Sequence, residues 1–101
     1  MRPIDEIQDM PELRARIDAL DAQLVALLAQ RRDLIARAAQ IKEGNGLPAR
    51  ITPRVEEVVD NVCRHALSHD LDVALIESIW RQLIEAAIAQ EERYLNRGKA
   101  P

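Results

Sequence analysis

The feature that most constrains this chain is an uninterrupted run of helix-forming sequence between residues 12 and 43, with no proline or glycine. Apolar residues recur there at spacings of three and four, which is the period of an amphipathic helix. They are Leu13, Ile17, Leu20, Leu24, Leu27, Leu28, Leu34, Ala38 and Ile41. A helix of about 34 residues would be roughly 50 Å long. A compact monomer of about 100 residues has a radius of gyration of about 13 Å, so this helix needs a partner along its length.

The simplest partner is a second copy of the same chain. We therefore expect an intertwined dimer in which the long helices lie antiparallel. The alternative is a kinked helix that folds back into a monomeric bundle. Because no proline or glycine interrupts residues 12–43 to make the kink, the sequence favours the dimer.

The sequence also predicts the ends of three helices. Asp9 with Glu12 three residues later has the form of a capping box for the first helix, and the segment 44–48 (GNGLP) ends it. A second helix is predicted to begin with Thr52 as its N-cap and Pro53 at its first position. The third is predicted from about residue 73 to residue 96, closed by Gly98. The apolar faces of these two helices are Val55, Val58, Val59, Val62 and Ala66, and Leu75, Ile76, Ile79, Trp80, Leu83, Ile84, Ala87, Ile88 and Leu95.

These patterns predict an all-α fold with three helices per chain. The length of 101 residues fits a single helical domain over residues 1–101, ordered from about 9 to 96, with frayed ends at 1–8 and 97–101. The single Cys63 cannot form an intrachain disulfide, and neither a signal peptide nor a membrane span is apparent, so we expect a cytoplasmic protein. The net charge of −3 argues against nucleic-acid binding. An anionic ligand must therefore be held by locally concentrated cations.

Arg31 and Lys42 are the best candidates for such cations. They are eleven residues apart, which returns a helix to within about 20° of the same direction. Both lie on or beside the leucine face, where an unopposed charge is costly to bury, so they could converge on one small polyanion. Arg14 lies about 25 Å before Arg31 along the helix and could approach this region only from the other chain. Arg54 could cover the pocket.

Each of these positions also has a purely structural interpretation. Arg14 could be a solvated residue, Arg31 could extend along the apolar stripe, and Lys42 could complement the helix dipole. Cys63, His65 and His69 are close in sequence, but we expect no metal site, because Cys63 points away from the histidines and zinc needs three or four convergent ligands.

The segment 13–34, LRARIDALDAQLVALLAQRRDL, followed by Ile41-Lys42, resembles the first helix of the all-α chorismate mutase family. The shared pattern is LR..ID.LD..L..LL..R, with a lysine eleven residues after the last arginine. Arg54 after a short proline-containing loop also fits, as does the segment 79–85 of the third helix. The resemblance covers residues 10–95.

This resemblance implies an intertwined helical homodimer with two active sites, each completed by an arginine of the opposite chain. It also implies the cofactor-free rearrangement of chorismate to prephenate, with no metal. Arg14 of the partner and Arg31 would bind the substrate carboxylates, Lys42 would donate to the ether oxygen, and Arg54 would close the pocket. The remaining substrate-binding positions are Ile51, Val55 and Ala87.

Three positions depart from the family pattern. Glu91 lies where the family frequently has a glutamine that donates to the ether oxygen, with Gln90 one residue earlier. Glu91 can donate only when protonated, so we expect it to be buried and neutral, although Lys42 nearby would oppose this. Val55 replaces a glutamate that contacts the substrate hydroxyl in many mutases, and Ala87 replaces a serine.

Two alternatives stay open. One, which the missing hydroxyl contact at Val55 keeps open, is isochorismate-pyruvate lyase of a salicylate or siderophore pathway, which uses the same fold and basic framework. The other, which does not depend on Val55, is a non-catalytic helical dimer that acts as an adaptor. The inward cations favour an enzyme, because an adaptor has no need for them.

Overall fold

The computed structural model describes residues 2–99. It contains α1 (Met10–Asn45), α2 (Thr52–Ser68) and α3 (Val73–Leu95), preceded by a 3₁₀ helix at Ile4–Glu6. No strand occurs in the described residues. The predicted all-α fold with a long first helix is thus confirmed, and the described chain falls into two compact units that meet in sequence between Asp33 and Leu34.

The first unit contains the 3₁₀ helix and the beginning of α1. Asp9 caps α1 as predicted, since its Oδ1 accepts a hydrogen bond of 2.8 Å from the backbone N–H of Glu12. The Glu12 side chain pairs with Arg2 at 3.4 Å. Arg16 donates to the backbone carbonyl of Arg2 at 2.7 Å. Residues 2–8, which we expected to be frayed, are therefore held to the first turns of α1 by charged contacts that the sequence pattern did not indicate.

The apolar stripe of α1 within this unit is exposed. Ile17, Leu20, Leu24, Leu27 and Leu28 each retain between 42% and 57% of their accessible surface. Contiguous exposed leucine and isoleucine side chains on a helix mark an interaction surface more often than a solvated face. The apolar stripe on which the prediction of a partner rests is thus exposed in the single chain.

The second unit has a small core between α2 and α3. It is formed by Ala49, Val59, Ile84 and Ile88, against which the half-buried Val55, Val58, Cys63 and Leu95 pack. The valine face of α2 packs toward this core as predicted, with Val59 and Ala66 buried and Val55, Val58 and Val62 half-buried. On α3 the predicted apolar face is only partly buried, because Leu75 and Ile79 near its beginning remain exposed.

The loop between α1 and α2 begins at Gly46, which has a positive φ of 69°. The N–H of Leu47 bonds to the carbonyl of Lys42 at 2.9 Å, and the N–H of Gly46 to that of Glu43 at 3.4 Å. This is a Schellman motif, which a glycine completes without steric cost. It sets the direction in which the chain leaves the turn that carries Lys42.

The ends of α2 differ from the prediction. Its N-cap is Ile51 rather than Thr52, because the Ile51 carbonyl accepts the first helical hydrogen bonds, from the N–H groups of Arg54 and Val55. The isoleucine side chain has no acceptor, so the helix has no side-chain cap. At the other end a second Schellman motif places Asp70 at a φ of 56°. The helix α3 begins as predicted at Val73, capped by Asp72, whose Oδ1 accepts from the N–H of Leu75 at 3.2 Å.

Candidate active site

The candidate site is a buried ion pair between the last turn of α1 and the C-terminal part of α3. Nζ of Lys42 lies 2.9 Å from Oε1 of Glu91, and the two side chains are 18% and 5% exposed. The same Nζ donates a hydrogen bond of 2.7 Å to the backbone carbonyl of Ala49, in the loop that follows α1. Three separate parts of the chain, α1, the loop and α3, therefore meet at one ammonium group.

Glu91 is the buried charged residue of the described chain. Although Lys42 Nζ is close to its Oε1, the contact lacks hydrogen-bond geometry, and no other donor among residues 2–99 reaches this oxygen. A buried carboxylate oxygen without a donor is costly, so such groups tend to occur where a ligand or a proton completes them. Of the two residues that the sequence left open, Glu91 rather than the half-buried Gln90 contacts Lys42.

The ammonium of Lys42 has one N–H to spare. A lysine ammonium carries three N–H donors and no acceptor. In the described chain the Ala49 carbonyl takes one of them and Glu91 faces a second. The third is available to an acceptor on a ligand, and the hydrogen bond to Ala49 restricts its direction.

Two exposed ion pairs flank this site, and we name them by their position. In the loop fork, Arg50 donates two hydrogen bonds to the Glu85 carboxylate, at 2.9 and 2.5 Å. In the end fork, Arg97 donates two hydrogen bonds to the Glu43 carboxylate, at 2.7 and 3.2 Å. The hydrogen bonds from the arginines are the main reason why the pKa values of Glu43 and Glu85 lie below their ordinary range.

Sequence reasoning missed both forks. Their partners are 35 and 54 residues apart, and opposite charges at such distances carry no periodic signal. The end fork also includes Arg97, which lies in the segment that we expected to be frayed. Its guanidinium stacks over the Tyr94 ring at 3.8 Å, so residue 97 is held by two kinds of contact.

The other predicted site residues of this unit lie on α2 and α3. Ala87 is buried on α3, one turn before Glu91, while Ile51 and Val55 are half-buried at the beginning of α2. Arg54 is exposed and pairs with Glu57 on its own helix at 2.5 Å, so no described contact directs it toward Lys42.

Arg14 and Arg31 belong to the first unit. Arg14 is exposed and Arg31 is half-buried on α1. Among residues 2–99 neither side chain makes a hydrogen bond or an ion pair. A half-buried guanidinium without a counter-ion is available to an anionic ligand.

Other site types find no support in the described residues. No group of three or more His, Cys, Asp or Glu side chains within residues 2–99 is arranged to hold a metal ion. In the same part of the chain, no helix combines the length and the apolar character needed to cross a membrane. A surface cavity of about 480 Å³ opens beside Lys42, between the loop and the C-terminal part of α3.

Comparison with known proteins gives a consistent result. The family model described as "Chorismate mutase type II" matches residues 13–92. A 4-amino-4-deoxychorismate mutase of Streptomyces venezuelae is 32% identical over 92 residues, which cover 91% of this chain and 89% of that protein. Another, of Streptomyces pristinaespiralis, is 28% identical over 99 residues, covering 98% and 77%. A chorismate mutase of Methanocaldococcus jannaschii is 29% identical over 89 residues, covering 88% and 90%.

Proposed function

Because the chain belongs to the chorismate mutase type II family, we propose that it is an isomerase that rearranges chorismate to prephenate. The observation that carries the proposal is the buried Lys42–Glu91 pair with a spare N–H on the lysine. The reaction is a concerted pericyclic shift that needs no nucleophile and no cofactor. The enzyme has to bind the compact substrate conformer and stabilise the negative charge that develops on the ether oxygen.

In this proposal Lys42 supplies the main electrostatic stabilisation. Its third N–H donates to the ether oxygen, where charge develops as the C–O bond breaks. A donor that is fixed before the reaction needs no reorganisation, and removing one such donor costs about 100- to 1,000-fold in rate. The contact with the Ala49 carbonyl supports this role because it fixes the ammonium in advance.

Glu91 is proposed as the second donor to the ether oxygen. A carboxylate only accepts hydrogen bonds, so Glu91 must carry a proton to take this role. The buried Oε1, which receives no hydrogen bond of suitable geometry in the described chain, supports a position that faces the ligand. The protonated form is proposed for the substrate complex.

The carboxylates of the substrate are assigned to Arg31 and to Arg14 of a second chain. The helix α1 is continuous from Met10 to Asn45, which puts Arg14 about 25 Å from Arg31 along its axis. One small dianion cannot bridge that distance within a chain. We therefore propose an intertwined antiparallel homodimer, supported by the exposed apolar stripe of α1, in which each chain completes the site of the other.

The first turn of α2 and the middle of α3 are proposed to line the rest of the pocket. Arg54 would close it, which requires the guanidinium to leave its present partner Glu57. Ile51, Val55 and Ala87 would contact the substrate as apolar walls. We also propose that the protein acts in the cytoplasm, a compartment that suits the free thiol of Cys63.

A second candidate substrate is 4-amino-4-deoxychorismate, on which the two Streptomyces relatives act by name. It carries an amine where chorismate carries a hydroxyl and can undergo the same rearrangement. Ile51 and Val55 offer no carboxylate to a protonated amine, and this favours chorismate. The isochorismate-pyruvate lyase alternative is not favoured, since these relatives are mutases by name.

The proposal is tested by incubating the purified protein separately with chorismate, 4-amino-4-deoxychorismate and isochorismate. We expect chorismate to disappear with formation of prephenate, and isochorismate to release no pyruvate. Lys42→Met is the inactive control, and Lys99→Met, which changes the other lysine of the chain, is the matched active control. A folded protein that forms no prephenate from chorismate contradicts the proposal.

A further inference from the structure

We infer that the loop fork and the end fork are positioning devices that aim the ammonium of Lys42, so their four residues are positioning residues for the reaction. The inference rests on the proposed mutase function. It assigns a role in turnover to exposed ion pairs that would otherwise be taken as surface contacts without a catalytic role. The argument depends on where each fork attaches relative to Lys42 and its hydrogen-bond acceptor.

The loop fork fixes the acceptor. Ala49 accepts the hydrogen bond from Lys42, and Arg50 is the next residue in the loop. Both terminal nitrogens of Arg50 donate to the two oxygens of Glu85 on α3. Such a two-point contact fixes direction as well as distance, whereas a single ion pair fixes distance alone. The loop fork therefore holds the carbonyl that orients Lys42 in register with α3.

The end fork fixes the donor. Glu43 is the residue directly after Lys42, and its carboxylate receives two hydrogen bonds from Arg97. The Tyr94 hydroxyl also donates to it at 3.4 Å, while the Arg97 guanidinium stacks on the Tyr94 ring. The last turn of α1 is thereby tied to the C-terminal end of α3.

The two forks are placed evenly about the catalytic pair. Glu85 lies six residues before Glu91, and Arg97 lies six residues after it. The segments that carry Lys42 and Ala49 are thus tied to α3 on both sides of the residue that Lys42 contacts. A change in either fork would turn or shift the ammonium relative to Glu91 without removing any group that touches the substrate.

The forks are poorly suited to a role in stability alone. All four side chains are between 45% and 57% exposed, and ion pairs at such positions contribute little to folding. The rate of the reaction is far more sensitive to these contacts than the stability is, since a misplacement of about 1 Å at a reacting centre can cost about 100-fold in rate. We therefore expect fork variants to lose turnover while they keep their fold.

The loop fork is tested with Arg50→Lys and Glu85→Gln. Arg50→Lys keeps the charge but cannot make the two-point contact, and Glu85→Gln keeps the shape but loses the charge. We expect each to lower kcat about tenfold or more, with KM changed less than about twofold and the melting temperature nearly unchanged. The exchanged pair R50E/E85R should recover most of the lost kcat, because it restores an arginine–carboxylate fork.

The end fork is tested in parallel with Glu43→Gln and Arg97→Lys, which should show the same fall in kcat. The matched control is Arg81→Lys. Arg81 makes similar ion pairs with Glu56 on α2 and Glu77 on α3, but neither partner adjoins Lys42 or Ala49. This variant should keep the kcat of the wild type.

Two results would overturn the inference. One is a wild-type kcat in the variants of both forks. The other is a rise in KM confined to the Arg50 variants, which would mean that Arg50 binds the substrate directly. An inactive wild type would instead contradict the proposed function, so the two failures are distinguishable.

Discussion

In the proposed mechanism the role of Glu91 depends on a proton. The Glu91 carboxyl is 4% exposed, and one of its oxygens has no donor in the described chain. As a carboxylate it would repel the developing charge on the ether oxygen, whereas as an acid it would donate to that oxygen. In the proposed mechanism the same side chain would therefore hinder the reaction as a carboxylate and assist it as an acid.

Because the proposed donor role requires the acid form of Glu91, we predict that the rate of the wild type with chorismate falls as pH rises. Glu91→Gln keeps a donor at every pH and should give a flatter profile. The measurement is kcat/KM and kcat against pH for both proteins, with Gln90→Glu in the Glu91→Gln background as a control for position. Identical pH profiles for the wild type and Glu91→Gln would show that Glu91 is not the titrating donor.

The sequence predicted which residues pair at this scale but not how they are held. The helical register placed Glu91 near Lys42 and left Gln90 open as the alternative, and the structure contains the contact between Lys42 and Glu91. The hydrogen bond from Lys42 to Ala49 was not predictable, because it depends on the path of the loop after Gly46. A backbone acceptor has no residue-type signal in the sequence.

At the scale of elements, the helices follow from local physics with small errors at their ends. Asp9 caps α1 as predicted. Asp72 caps α3, which was not predicted, and α2 begins at Thr52 rather than after it. Periodicity fixes the face of a helix, but the hydrogen bond that closes its first turn depends on the neighbouring chain. The forks escaped prediction for the same reason.

The end of α2 is strained, and this gives a prediction on stability. Asp70 has a φ of 56°, in the left-handed region that costs an ordinary residue about 1 kcal/mol or more. Its carboxylate also lies beside the negative end of the helix dipole. Asp70→Gly should raise the melting temperature by several degrees, as about 1 kcal/mol does in a domain of this size.

The matched control for that prediction is Asp70→Ala, which removes the charge but keeps the Cβ. It should gain much less than Asp70→Gly in thermal unfolding followed by circular dichroism. Equal melting temperatures for the two variants would mean that charge, and not the left-handed conformation, sets the cost at this turn.

The forks between elements predict a pH dependence of stability. The pKa values of Glu43 and Glu85 are lowered by their arginine partners, so the folded state binds fewer protons than the unfolded one. Their contribution is present above the ordinary carboxyl value of 4.5 and is lost as pH falls through the lowered values. In denaturant titrations from neutral to acid pH, the small stability advantage of the wild type over the double variant E43Q/E85Q should shrink. An advantage that is constant or larger in acid would be inconsistent with these pKa directions.

At the scale of the whole molecule, the sequence predicts a partner along α1, and a single chain leaves the apolar stripe of this helix exposed. The stripe that includes Leu20, Leu24 and Leu27 is exposed along α1, and Arg31 has no counter-ion among residues 2–99. Both observations are explained if a second copy covers the stripe and brings its Arg14 to the pocket. The proposed dimer is then part of the catalytic machinery. This can be tested by combining two chains that each carry a different inactivating substitution.

We predict that two inactive variants restore activity to each other. Arg14→Ala damages the site of the partner, and Lys42→Met damages the site of its own chain. In a mixed dimer one site therefore carries both defects and the other carries none.

Random exchange of equal amounts makes about half of all dimers mixed. Each mixed dimer keeps one intact site of two, so about one quarter of the wild-type activity should return. The two proteins are mixed after mild unfolding and refolding. The control is the double variant R14A/K42M, refolded with an equal amount of the wild type. Each site of its mixed dimers carries one defect, so exchange should lower the activity to about half of that of the same two proteins mixed without exchange. If the refolded mixture stays as inactive as its components while gel filtration shows dimers, Arg14 acts within its own chain or not at all, and the proposed exchange across the interface is wrong.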